Sequence, residues 1–172
     1  YILAVFVLYT SNILSQSTWE VKAGNIDPNN YYGVTVANGI IGVVSSAEPL
    51  KVNDVVLNGV YDYYQRGRVS NILKTFNHLN MNLDVDGNRI SGSSISNYQQ
   101  TLDMKEAMLE TSFDVGDKIS LSTQMMALQH LPYTAMIKVT IKAHKDTRIT
   151  PMSVIEAPNH LNDVRNYYAE ID

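Results

Sequence analysis

A hydrophobic period of two, written into four separate segments, constrains this fold more than any other feature. Leu79, Met81, Leu83 and Val85 alternate with Asn80, Asn82, Asp84 and Asp86. Successive side chains of a strand point to opposite faces, so the pattern predicts a strand with one face in a core and the other toward water. Ala135, Ile137, Val139, Ile141 and Ala143 alternate in the same way with Met136, Lys138, Thr140, Lys142 and His144. Leu109, Thr111, Phe113 and Val115 make a third such run, and Ile119, Leu121, Thr123 and Met125 a fourth.

Turn chemistry agrees with the period. Asn38-Gly39 separates Tyr31–Ala37 from Ile40–Ser45. Asn and Gly accept the positive φ angles of a tight hairpin, so a hairpin is expected there. Gly116-Asp117 predicts another between Phe113 and Ile119, and Asp86-Gly87-Asn88 a third, leading to Ile90. Asn58-Gly59 predicts a fourth, between Val55 and Tyr61. The one helical candidate, Thr101 to Glu110, sets Glu106 and Glu110 at i,i+4, where like charges repel. A turn at Met104–Ala107 followed by a strand is the better reading. Short strands with turn signals about every 8 to 12 residues predict an all-β, antiparallel sandwich.

Bulk properties narrow the function classes. The 172 residues are 45% hydrophobic and 17% charged, enough for one core. The net charge of −4 comes with no basic cluster. A nucleic-acid partner, which is bound by displacing counterions from phosphates, is therefore not expected, and neither is an anionic membrane surface. With no cysteine, a disulfide framework, a thiolate metal site and a cysteine nucleophile are excluded. Tyr1 to Tyr9, YILAVFVLY, is apolar but far short of the about 20 residues of a membrane span. It matches the apolar core of a secretory signal, with cleavage near Ser15-Gln16-Ser17, although no positive residue precedes it. Residues 1–17 are thus expected to be the remnant of a leader and 18–172 the sandwich, truncated at its C-terminal end; a buried first strand is the alternative for 1–9. Export to the periplasm or beyond follows from the leader.

Most chemical motifs fail on inspection. His78, His130, His144 and His160 lack the three-to-five-residue spacing of a local metal pair. Asp84-Val85-Asp86-Gly87-Asn88 has Gly at the wrong position for a calcium loop and Ile95 where the bidentate Glu would stand. Gly92-Ser93-Ser94-Ile95-Ser96 lacks the second Gly of a nucleophile elbow. The carboxylate pairs Asp84/Asp86 and Asp114/Asp117 flank turns, where Asp bonds the local backbone, and no apolar pocket is evident to raise a carboxyl pKa. Neither metal nor cofactor is expected. The remaining candidate is Tyr61-Asp62-Tyr63-Tyr64-Gln65-Arg66-Gly67-Arg68. Tyr63 and Tyr64 offer faces on which a sugar can stack, and the Arg66 guanidinium offers a planar fork for hydroxyls; these three are the candidate substrate contacts. The same composition also suits an ordinary surface loop or a contact with a neighbouring domain.

The segment Tyr98 to Phe113, YQQTLDMKEAMLETSF, resembles the N-terminal β-sandwich domain of glycoside hydrolase family 65. Other segments resemble that domain in the family's order: Trp19-Glu20-Val21, Asp27-Pro28, Ala37-Asn38-Gly39-Ile40-Ile41-Gly42-Val43, Leu57 to Asp62, Asn77 to Met81, Leu83 to Gly87, and His130 to His144. The resemblance implies a galactose mutarotase-like supersandwich without catalytic residues of its own. It further implies a following (α/α)6 barrel whose Glu protonates the glycosidic oxygen, with inversion. Its implied partners are an α-glucoside disaccharide or oligosaccharide, the chain's own C-terminal catalytic barrel and, through dimerisation, a second copy. Family members often carry Arg around Gln99 and Gln100 and after the Asn-Gly hairpin, where this chain has Val44-Ser45-Ser46. That departure leaves the substrate open. The expected function is that of the non-catalytic domain of an exported α-glucoside hydrolase acting on α-glucobioses such as kojibiose. The alternatives are a disaccharide phosphorylase of the same family and a stand-alone carbohydrate-binding sandwich.

Overall fold

A computed structural model describes residues 19–62 and 71–156. Twelve strands run through them: β1 (Glu20–Ala23), β2 (Thr35–Ala37), β3 (Ile41–Ser45), β4 (Val52–Asp62), β5 (Asn71–Lys74), β6 (Asn77–Val85), β7 (Asn88–Arg89), β8 (Ser96–Asp103), β9 (Met108–Val115), β10 (Ile119–Ala127), β11 (Ala135–Ala143) and β12 (Ile149–Glu156). The one helical turn among the described residues is a 3-10 turn at Gly92–Ser94. The predicted all-β class is observed.

Every strand pairing is antiparallel. A five-stranded sheet runs β1-β8-β9-β10-β11, a four-stranded sheet β2-β3-β4-β5, and a three-stranded sheet β12-β6-β7. The five-stranded sheet forms one layer and the two smaller sheets share the other. Val36, Ile41, Val43 and Val55 of the four-stranded sheet pack on Leu109, Met125 and Ala127. Leu83 and Val85 of β6 pack on Phe113, Ile119 and Leu121. Leu83, Val85, Leu109, Phe113, Ile119, Leu121 and Met125 belong to the inward sets that the period of two predicts, whereas Val36, Ile41, Val43, Val55 and Ala127 lie outside those four runs.

Three of the predicted hairpins form. At Asn38-Gly39, Ala37 pairs with Gly42 and Gly39 takes φ +90°. The Asn38 side chain reinforces the turn, because its Oδ1 accepts the amides of Ile40 and Ile41. Asp86 and Gly87 both have positive φ between β6 and β7, and Gly116 does so between β9 and β10. The turn at Met104–Ala107 is also as expected, with Asp103 Oδ1 accepting the amides of Lys105 and Glu106.

Two expectations need correction. Asn58-Gly59 closes no hairpin. The chain continues as one strand from Val52 to Asp62, and the register against β5 shifts between Val56 and Tyr61. Gly59, at φ +79°, is the irregular residue of a bulged strand; local turn chemistry is outweighed by pairing with β3 and β5 on either side. Asn80 does not face water either. It is 3% exposed, because both faces of β6 are covered near its start, one by the core and the other by contacts with Val52 and Glu156.

The strands β11 and β12 are sheet edges. The inward side chains Ile137, Val139 and Ile141 are only half-buried, and Ile155 of β12 is 73% exposed. An edge strand lacks the lateral neighbour that would complete its burial.

Candidate functional site

Tyr63, Tyr64 and Arg66 lie outside the described residues, in the connection between β4 and β5. Residues 1–17, expected to be a leader remnant, and His160 lie outside them as well.

The carboxylates within reach of the described residues are arranged for structure. Asp84 pairs with Arg89 across the β6–β7 hairpin. Asp86 pairs with Lys118 and accepts the backbone amide of Arg148 at 2.8 Å, tying three turns together. The Lys118 ammonium chiefly, and then the Arg148 amide, hold the Asp86 carboxyl below its ordinary value. Asp117 pairs with Lys145 and is lowered for the same reason. A glycosidase general acid needs the opposite, a carboxyl raised toward neutrality by an apolar pocket. Asp84/Asp86 and Asp114/Asp117 are thus ion-paired or hydrogen-bonded turn groups.

An interior polar chain was not legible in the sequence. Tyr31 Oη donates to Gln100 Oε1 at 3.1 Å, and the Ser45 hydroxyl lies 2.5 Å from the same phenol oxygen. Gln100 Nε2 donates to Thr111 Oγ1 at 3.2 Å. Burial pushes the adjacent Tyr98 phenol up to about 12. The only advance signal was parity: Gln100 stands on the inward set of β8 with Tyr98 and Leu102. The cavity beside this chain has a volume of about 30 Å³. That accommodates a water molecule but no sugar ring, so the interior is not a ligand site.

A larger concavity, of about 210 Å³, lies on the outer face of the five-stranded sheet. Its floor is a row of hydroxyls in cross-strand register, Ser112, Ser122 and Thr140. In the next row Ser120 stands between Asp114 and Lys142. Asn97 enters from β8, where the register shifts between Ser96 and Gln99 and Asn97 takes φ +51°. Its Nδ2 donates to Asp114 Oδ2 at 2.7 Å. Asn97 chiefly, and then Ser120, keep the Asp114 carboxyl below its ordinary value. Ser120 Oγ lies 2.7 Å from His144 Nε2. Serine, histidine and aspartate thus meet, but in the wrong order for a nucleophile. A catalytic aspartate orients the far nitrogen of the imidazole, whereas Asp114 engages the serine itself. Among the described residues, His78 and His130 add nothing, and no group of three potential metal ligands occurs.

Comparison with known proteins agrees with the architecture. The model of the N-terminal domain of glycosyl hydrolase family 65 matches residues 33–172. A kojibiose hydrolase of Mucilaginibacter mallensis is 48% identical over 165 residues, and one of Flavobacterium johnsoniae 45% over 166. Each alignment covers 96% of this chain and 24% of the relative, so the chain spans about a quarter of the length of the curated relatives it matches. The family match, which runs over residues 33–172, places the chain in glycosyl hydrolase family 65, as N-terminal domain sequence.

Proposed function

We propose that the chain is the non-catalytic N-terminal domain of an exported, inverting α-glucoside hydrolase acting on α-glucobioses such as kojibiose. The observation that carries this reading is the identity of 48% and 45% to two kojibiose hydrolases, maintained over 96% of the chain. The ion-paired state of the turn carboxylates supports a non-catalytic role. Proton donation and water activation then belong to a C-terminal barrel, against which the sandwich packs as a structural and substrate-channel element. Inversion follows from the family resemblance, in which one Glu protonates the leaving oxygen and a second activates water on the opposite face. Export is supported by the apolar Tyr1–Tyr9 run. An exported enzyme favours hydrolysis over phosphorolysis, because a sugar phosphate is useful only where cytosolic metabolism takes it up. Tyr63, Tyr64 and Arg66 are assigned to substrate contact, and the sandwich also serves homodimer formation.

The test uses the full-length protein with kojibiose, with and without phosphate. Proton NMR is expected to show β-glucose as the first product in both cases. Appearance of β-glucose 1-phosphate would assign the protein to the phosphorylases instead.

A further inference from the structure

We propose that the outer-face cleft of the five-stranded sheet is a secondary site for one neutral pyranose unit, a glucosyl unit in the enzyme proposed above. The choice of glucose rests on that reading; the polyol chemistry rests on the cleft alone.

Size comes first. The cleft, at about 210 Å³, has room for one sugar ring, whereas the interior cavity of about 30 Å³ has none. Polarity comes second. A sugar hydroxyl both donates and accepts, and so do Ser112, Ser122 and Thr140 on the floor. Asp114 adds an acceptor and Lys142 a donor, on opposite sides of Ser120. The two formal charges cancel within the cleft, so it selects neither an anion nor a cation. Cross-strand neighbours stand about 5 Å apart at Cβ, a spacing that suits ring hydroxyls two carbons apart.

Pre-organisation comes third. The amide of Asn97 already holds Asp114 at 2.7 Å, and His144 already holds Ser120 at 2.7 Å. Groups fixed before a ligand arrives lose less entropy on binding it. Phe113 and Leu121 also border the cleft, but each is only 2% exposed and packs in the core, so no ring face is offered for stacking and recognition runs through hydroxyls. Such a site binds weakly and serves to retain or hand on an oligosaccharide end, not to trap it.

Equilibrium dialysis of the full-length protein with glucose tests this. The parent protein is expected to bind two glucose molecules per chain, one in the barrel and one in the cleft. Ser122→Ile occludes the floor and has the β propensity to be tolerated on an exposed sheet face. Lys142→Ala removes a donor from the exposed edge strand β11 without filling space. Each is expected to weaken the second glucose by about tenfold or more, the loss of a hydrogen bond to a charged or well-placed group, while turnover of kojibiose changes less than about twofold. One glucose per chain in the parent protein, or a second glucose indifferent to both substitutions, would overturn the site. Failure of the hydrolase reading is separate: it would show as phosphate-dependent product with the second glucose still bound.

Discussion

Asn80 accepts the backbone amide of Val52 across 2.8 Å, and by doing so a side chain of one small sheet takes the place of a strand partner for the other. The carbonyl of Val52 is served in the same way by Asn77 Nδ2, at 2.9 Å. Asn80 Nδ2 in turn donates to Glu156 of β12. Both asparagines are buried, and no described buried side-chain nitrogen or oxygen is left without a partner. Replacing Asn80 by Leu leaves the Val52 amide dry and unpaired. That is expected to cost about 1–3 kcal/mol, seen as a lower urea midpoint of the transition that carries this domain. Asn80→Asp keeps the acceptor but sets a second carboxylate against Glu156 in a buried place, so it is expected to be the more damaging change at neutral pH.

Two glycines make a controlled pair. Gly33 and Gly39 have nearly the same φ, +86° and +90°. A Cβ on Gly33 would lie 2.6 Å from the Ser45 carbonyl oxygen and 2.6 Å from Val44 Cγ1, whereas one on Gly39 meets nothing within 4 Å. Gly39→Ala is expected to cost about 1 kcal/mol, the left-handed conformation alone. Gly33→Ala adds a backbone clash to that and is expected to cost more than about 2 kcal/mol. Equal melting temperatures for the two variants would contradict this account.

The pH profile of stability has two sides. Burial raises the Tyr98 phenol from 10.0 to about 12 in the folded state. Its contribution is therefore complete below pH 10 and is lost as pH rises through about 12. Asp86 and Asp114 are lowered below 3.8 by hydrogen bonds from Lys118 and from Asn97, respectively. Their contribution is present above 3.8 and disappears as pH falls through the lower folded values. Tyr98→Phe is expected to flatten the alkaline limb of a urea-midpoint profile and to leave the acid limb in place. An unchanged slope between pH 10 and 12 would remove Tyr98 from this role.

The connection between β4 and β5 carries a kinetic prediction. If the full-length protein is the hydrolase proposed above, Tyr63→Ala and Arg66→Ala are expected to raise KM for kojibiose while the melting temperature stays within about 2 °C. Unaltered KM in both variants would reduce the segment to ordinary surface.

Much of the framework was readable in advance because its causes are local. The inward residues of β9, β10 and β11 follow from alternation alone, and the Asn38-Gly39 and Asp86-Gly87 turns follow from residues that tolerate positive φ. Asn58-Gly59 misled for an instructive reason. The dipeptide is as good a turn former as Asn38-Gly39, but β3 pairs with β4 up to Leu57 and β5 pairs again at Tyr61 and Asp62, so Asn58-Gly59 is carried through the strand as a bulge. Gln99 and Gln100 are neighbours of one residue type, yet only Gln100 is buried, because the pleat turns it toward Tyr31 and Thr111. The cleft on the outer face was invisible for a related reason: Asn97, Asp114, Ser120 and His144 come from four segments that meet only through sheet register.

By itself, the sequence determined an antiparallel β class, most of its turns and the family. Those depend on periods of two, on backbone preferences within a few residues, and on resemblance carried in order along the chain. Only the tertiary structure decided which polar residues are buried, where a strand bulges, and which hydroxyls and charges share one cleft. These depend on pairing between distant strands, where a shift of one residue would exchange the two faces of every strand involved.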